Sequence, residues 1–283
     1  MHAAEIELEP ADVRRLLAAQ FPDWAGLPIA RVASSGTVNA MFRLGDGLTV
    51  RLPFVPWGAE GIRHEAAWLP RLAPALPVRI PAVLAVGEPD DGYPLPWLVL
   101  DWIPGGCPEP GSCGPEIAEQ LAAFIRALRG VEPDDAPASY RGGALAELDE
   151  QVRGCLAELG TPALLPAWES ALAAPAWTGP PTWSHADLLP GNLLVDGGAL
   201  VGVLDFAASG VGDPACDLMP AWSVFTPEGR DAFRAALDAD EASWERGRGW
   251  ALAQAAIALP YYRVTNPGMA EVARAAITAI VTA

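Results

Sequence analysis

Residues 184–206 read S-H-A-D-L-L-P-G-N-L-L-V-D-G-G-A-L-V-G-V-L-D-F, and they leave the chain few ways to fold. Two short apolar runs flank Asp196-Gly197-Gly198, a turn sequence that joins neighbouring strands as an antiparallel hairpin. Pro180-Pro181 brings the chain in extended, and Pro190-Gly191 turns it just before the first run. The pattern predicts strands at Asn192–Val195 and Leu200–Leu204. A tight hairpin brings its two open ends together. Asp187 and Asn192 at one end and Asp205 at the other therefore converge. Phosphoryl transfer needs this combination: one carboxylate for the proton of an acceptor hydroxyl, and a second carboxylate with an amide oxygen to hold magnesium against phosphates. The competing reading of Asp187 is an aspartate that only caps its own loop.

H-A-D-L-L-P-G-N at 185–192 with V-L-D-F at 203–206 resembles the catalytic and metal-binding segments of the protein-kinase-like fold. More narrowly, these segments and G-D-P-A-C-D-L at 212–218 resemble the aminoglycoside phosphotransferase family, which includes macrolide phosphotransferases and choline-kinase-like enzymes. The likeness runs from about Ser34 to about Trp222. It implies an α+β, two-lobed, protein-kinase-like fold. Residues 1–103 would form an N-terminal antiparallel-sheet lobe that binds nucleotide. Residues 104–283 would form a mainly helical lobe with the catalytic loop and the acceptor site. In that frame Asp187 is the catalytic group, and Asn192 and Asp205 are the Mg2+ ligands. His185, Asp213 and Asp217 support the site structurally, with Asp213 capping the following helix and Asp217 turned back toward the catalytic loop.

The resemblance also assigns a nucleotide side. Arg51 in L-T-V-R-L-P stands where the fold usually carries lysine, and Glu65 stands where the inserted helix carries its glutamate. Alone, each would pass for a surface residue. Ser35, Gly36 and Thr37 lie where a phosphate-covering loop belongs, although S-S-G-T-V-N is not G-x-G-x-x-G and equally suits a plain hairpin turn. The backbone at Asp101, Trp102 and Ile103 would meet the base of ATP or GTP, and the residues do not choose between the two donors.

The rest of the chain fits two lobes. Short apolar runs with turn punctuation predict strands from 29–36, 39–47, 48–53, 81–88 and 96–104, with a helix from Ala59 that Pro70 interrupts. After Pro104-Gly105-Gly106, helical spacing dominates: 117–130, 143–160, 163–174 broken early by Pro166, and further helices to the end, leaving one strand pair in this half.

Charge narrows the partners. The net charge is −17, and residues 101–220 supply most of it. Nucleic acid, which needs a basic footprint, is therefore excluded as a partner. An acidic field attracts a cationic acceptor, and Glu147, Asp149, Glu150 and Glu158 lie on the acidic segment before the catalytic loop. Ordinary exposed helix carboxylates are the alternative. Eleven tryptophans offer either core or the walls of a pocket for a macrolide. The 18 basic residues are all arginine, so any buried cation must be a guanidinium.

No apolar run reaches the ~18 residues of a membrane span, and the opening M-H-A-A-E-I-E-L-E-P has no signal-peptide pattern. The reading is a cytoplasmic Mg2+-dependent kinase that moves the γ-phosphate of a nucleoside triphosphate to a small hydroxylated acceptor, an aminoglycoside or macrolide, in antibiotic resistance. A metabolic kinase for choline, a sugar or an amino alcohol carries the same motifs. A non-catalytic nucleotide-binding domain of kinase shape is the third reading. Nothing in the sequence gives an oligomeric state.

Overall fold

A computed structural model describes residues 6–33 and 36–282. The chain forms two compact units, one of residues 1–74 with 79–104 and the other of 75–78 with 105–283.

The first unit is a five-stranded antiparallel sheet with helices against it. Its elements are α1 (Pro10–Gln20), β1 (Ile29–Arg31), β2 (Asn39–Leu44), β3 (Leu48–Pro53), α2 (Gly58–Leu72), β4 (Val83–Gly87) and β5 (Trp97–Asp101), with sheet order β1-β2-β3-β5-β4. Gly45, at φ +56°, allows the tight turn between β2 and β3, where Leu44 pairs with Leu48. Alternation along β2 sends Ala40, Phe42 and Leu44 into a core shared with Leu16 and Leu17 of α1, and Asn39, Met41 and Arg43 to the other face. Met41 pairs with Arg51, which sets that arginine in the middle of β3. Pro70 does not end α2. The helix continues to Leu72, because the fully buried Leu69 and Leu72 anchor its last turn and outweigh the lost backbone bond.

The second unit is mainly helical: α3 (Pro115–Arg129), α4 (Asp149–Leu159), α5 (Leu165–Ala173), the short α6 (Pro220–Ser223), α7 (Pro227–Leu237), α8 (Glu241–Tyr262) and α9 (Pro267–Val281). Three expectations shift. The helix expected over 143–160 begins only at Asp149, after a 3-10 turn at Leu145–Leu148. Pro166 sits in the first turn of α5, where its missing N–H is harmless, so it starts the helix rather than breaking it. There are also two strand pairs, not one. Besides β7 (Leu193–Asp196) and β8 (Ala199–Val203), β6 (Thr182–Ser184) pairs with β9 (Gly210–Gly212). These three-residue strands are too short to show a period of two, and β9 is two-thirds glycine. Trp183, Trp222, Trp244 and Trp250 are buried, which makes them core, while Trp177 is 38% exposed. Among the described residues no helix is long and apolar enough to cross a membrane.

The antiparallel sheet in one unit and the helical majority in the other are the α+β arrangement that the sequence predicts.

Candidate active site

The 185–192 segment leaves β6, turns, and enters β7. Ala186 adopts φ +65° although it is not glycine, a conformation that costs an L-residue about 1–2 kcal/mol. Its neighbours hold it there. The fully buried carboxylate of Asp217 accepts the backbone N–H of His185 (2.9 Å) through Oδ2 and that of Ala186 (2.8 Å) through Oδ1. Burial pushes the Asp217 carboxyl above its usual range, against the opposing effect of the two backbone bonds.

Both ring nitrogens of His185 are committed to backbone. Nδ1 accepts the N–H of Asp187 (3.3 Å), so the proton sits on Nε2 and is donated to the carbonyl of Leu204 (2.9 Å). The ring also packs edge-on against Phe206, with centroids 4.6 Å apart. One imidazole thus ties the loop before β7 to the chain leaving β8.

Asp187 itself is half-buried and held at both oxygens. Oδ1 accepts from Arg141 Nη1 at 2.7 Å, and Oδ2 accepts from Asn192 Nδ2 at 3.0 Å. Asn192 Nδ2 also donates to the carbonyl of Asp187 at 2.7 Å. With its nitrogen spent this way, the amide oxygen of Asn192 is turned away from Asp187. Asn192 closes a 3-10 turn with Pro190 and Gly191 rather than opening the strand, which begins at Leu193. Because Leu193 pairs with Val203, and Leu204 donates its N–H to the Asn192 carbonyl (2.8 Å), the next residue, Asp205, stands beside Asn192 at the open end of the hairpin. Asp205 is a second non-glycine residue in the left-handed region, at φ +60°. Their backbones meet at one end of the hairpin, and a carboxylate and an amide oxygen are hard oxygen donors of the kind Mg2+ takes, so these residue types fit that ion.

Asp213 caps the turn that follows it, accepting the Ala215 N–H at 3.0 Å, and pairs with Arg246 (2.7 Å from Nε to Oδ2). Sequence reasoning missed Arg246, which is buried in the second turn of α8 with no motif to mark it. It also missed Arg141. The available signal was charge: Arg141 is the only basic residue between Arg129 and Arg153, in a segment full of acids.

In the first unit, Arg51 and Glu65 are brought together. Nη1 of Arg51 lies 2.6 Å from each oxygen of Glu65, and both residues are buried, at 5% and 0% exposure, so neither is a surface residue. With its oxygen facing the guanidinium, the Asn39 amide accepts from Arg51 Nη2 (2.8 Å) and Nε (3.1 Å). Ser35 lies outside the described residues. Gly36 is exposed and Thr37 half-buried, and a cavity of about 340 Å³ lies against Gly36, Arg31, Asn39, Met41 and Phe54. The N–H of Asp101 is spent on Ala82 and that of Trp102 on Gly47 (2.8 Å). A base would therefore not be read through those two groups. The Asp101 side chain binds Arg79 and the Ala82 N–H, and Ile103 is buried.

The four acids of the 147–158 segment do not converge. Asp149 turns inward to Trp168 Nε1 and Arg153 Nε, each at 2.7 Å. Glu147 and Glu150 are exposed, and Glu158, more than two helical turns from Asp149, pairs with Arg263 at 3.3 Å.

Similarity to known proteins falls in line with this geometry. No curated protein matches the sequence. Among solved structures, the GDP and kanamycin complex of APH(2")-IIia superposes with a TM-score of 0.77 at 19% identity, covering 96% of this chain and 99% of that one. The streptomycin-ATP-APH(2")-IIa ternary complex gives 0.61 at 16% identity, covering 88% and 90%. The macrolide 2'-phosphotransferase MphH from Brachybacterium faecium, an apoenzyme, gives 0.61 at 23% identity, covering 96% and 97%. At these identities the likeness is one of fold. The sequence match is to a family model described as the phosphotransferase enzyme family, over residues 29–250, which is most of the 283 residues, and the chain belongs to that family.

Proposed function

We propose that this protein is a small-molecule O-phosphotransferase that moves the γ-phosphoryl group of ATP or GTP to a hydroxyl of an antibiotic-like acceptor, an aminoglycoside or a macrolide. The observation that carries the reading is the carboxylate of Asp187, fixed at both oxygens by Arg141 and Asn192 on a loop whose far end sets Asp205 beside Asn192. Family membership supports the reaction class. The folds of proteins solved with GDP and kanamycin, or with ATP and streptomycin, support the donor and the acceptor class. The net charge of −17 favours a cationic acceptor.

In this reading Asp187 orients the acceptor hydroxyl and receives its proton as the oxygen attacks the γ-phosphorus. The bond from that phosphorus to the β–γ bridging oxygen breaks, and its electron pair leaves with the nucleoside diphosphate. Asn192 and Asp205 would hold Mg2+, which supplies charge neutralisation on the phosphates when bound. Arg51, braced by Glu65 and Asn39, would bring a fixed positive charge to the phosphate oxygens. His185 and Asp217 keep the loop in shape, and most of the rate enhancement comes from positioning and electrostatics.

The test is transfer of label from γ-labelled ATP and GTP, with Mg2+, to a panel of kanamycin, streptomycin, a macrolide, choline and a simple sugar. Label should appear in an aminoglycoside or a macrolide and vanish in Asp187→Ala, with nucleotide binding retained. Label only in choline or sugar would replace the acceptor class, and an active Asp187→Ala enzyme would remove Asp187 from the chemistry.

A further inference from the structure

We propose that Arg141 is the positioning residue of Asp187, and that the segment 137–142 is docked on β9 in order to hold it there. The proposal rests on the reading of Asp187 as the group that meets the acceptor hydroxyl. A single nitrogen of Arg141, Nη1, donates both to the carbonyl of Ala186 (2.8 Å) and to Asp187 Oδ1 (2.7 Å). Asp217 already holds the N–H of Ala186. The one residue of the loop in a left-handed conformation is thus gripped on its N–H side by a carboxylate and on its carbonyl side by a guanidinium. The side chain that follows it is fixed by the same cation. Each oxygen of Asp187 receives one donor, from Arg141 or Asn192, and keeps a second lone-pair direction for a hydroxyl.

The segment that carries Arg141 is not a loose loop. The Val211 N–H donates to the Pro137 carbonyl (2.8 Å), Ser139 N–H to Val211 (3.0 Å), Tyr140 N–H to Ala208 (3.0 Å) and Asp213 N–H to Gly142 (3.0 Å). These bonds lay 137–142 along β9 like an added strand. The approach is so close that it requires glycine. A Cβ at Gly210 would stand 2.6 Å from the Pro137 carbonyl oxygen and the Ser139 nitrogen, and one at Gly212 would stand 2.8 Å from the Gly142 carbonyl oxygen. The sequence therefore gives up two side chains to bring Arg141 to Asp187. Both partners are sheltered, at 20% and 23% side-chain exposure, which makes the pair less screened than one on the open surface.

The experiment compares Arg141→Ala, Arg141→Lys and Gly212→Ala with the wild type in two measurements. One is steady-state transfer with Mg2+-ATP or Mg2+-GTP to the acceptor found in the panel above. The other is amide hydrogen exchange of residues 137–142 and 184–192. Arg141→Ala should lower kcat by roughly 100-fold, leave the nucleotide KM within about threefold, and speed exchange only in those two stretches. Arg141→Lys, whose ammonium can also bridge two oxygens, should recover most of the loss. Gly212→Ala, which keeps the arginine but lifts its segment, should reproduce the fall in kcat. A wild-type kcat in Arg141→Ala overturns the proposal, as does a loss accompanied by faster exchange throughout the chain. If the wild type transfers phosphate to nothing, the phosphotransferase reading fails by itself. The exchange data then decide Arg141 separately: faster exchange at 184–192 keeps it as the residue that sets the Asp187 backbone, and unchanged exchange removes it.

Discussion

Oδ1 of Asp217 lies 2.8 Å from the backbone nitrogen of Ala186, and Oδ2 of the same carboxylate lies 2.9 Å from that of His185. One buried anion therefore fixes two successive peptides of the 185–192 loop. Asp217→Asn keeps the shape but offers one acceptor oxygen, and its NH2 faces a backbone N–H. The loss of a buried charged acceptor should cost about 1–3 kcal/mol, read as a lower urea midpoint with an unchanged slope. Transfer should weaken with it. Wild-type stability and rate together would show that the loop holds its shape without the carboxylate.

Arg51 and Glu65 form the other buried anchor. Arg51→Ala removes the guanidinium that lies 2.6 Å from both oxygens of the fully buried Glu65 carboxylate, and breaking a buried pair from one side costs about 3–5 kcal/mol. Arg51→Lys keeps a charge but not the fork shared with Asn39, so nucleotide KM should rise with a smaller loss of stability. Equal stability of the alanine variant and the wild type, measured by chemical denaturation, would refute the pair's structural weight.

Tyr93 tests the first unit away from any site residue. Its hydroxyl donates to the Pro53 carbonyl at 2.6 Å in a fully buried position, and burial pushes its pKa far up. Tyr93→Phe leaves that carbonyl unpaired and should cost about 1–3 kcal/mol, with kcat unchanged. No change in the unfolding midpoint would mean that another donor replaces the hydroxyl.

His64 gives stability an acid-side dependence. Burial pushes its imidazole below the ordinary 6.5, more than nearby Glu60 raises it. Above 6.5 both folded and unfolded chains hold it neutral. As the pH falls below that value the unfolded chain takes the proton first, so stability drops until the folded imidazole also titrates. Between about pH 7.5 and 5.5 the wild type should lose more melting temperature than His64→Gln. Parallel losses in the two proteins would assign the acid sensitivity to carboxylates.

The hairpin that sets Asn192 beside Asp205 is legible in the sequence because turn chemistry and spacing are local properties. The antiparallel sheet is legible for the same reason, with Gly45 marking the turn and alternation marking the core face. Arg141 is not, since its contact with Asp187 spans 46 residues. It depends on a backbone-to-backbone approach that leaves only two glycines in the sequence as a trace. Pro70 and Pro166 mislead in the same direction, since neither breaks its helix: a proline's effect depends on which turn of the helix it occupies and on what is buried around it. The four acids of 147–158 share a charge but not a direction, and charge counting cannot see where side chains point.

The ion pairs described above, Arg51 with Glu65, Arg141 with Asp187 and Arg246 with Asp213, all take their positive member from arginine. A guanidinium keeps its proton throughout the range in which proteins are studied, whereas a buried ammonium surrenders one readily. In alkaline solution a lysine-built version of this molecule would see its internal salt links switch off one by one. A chain without lysine holds no buried ammonium, so alkaline solution finds no switch of that kind among these links.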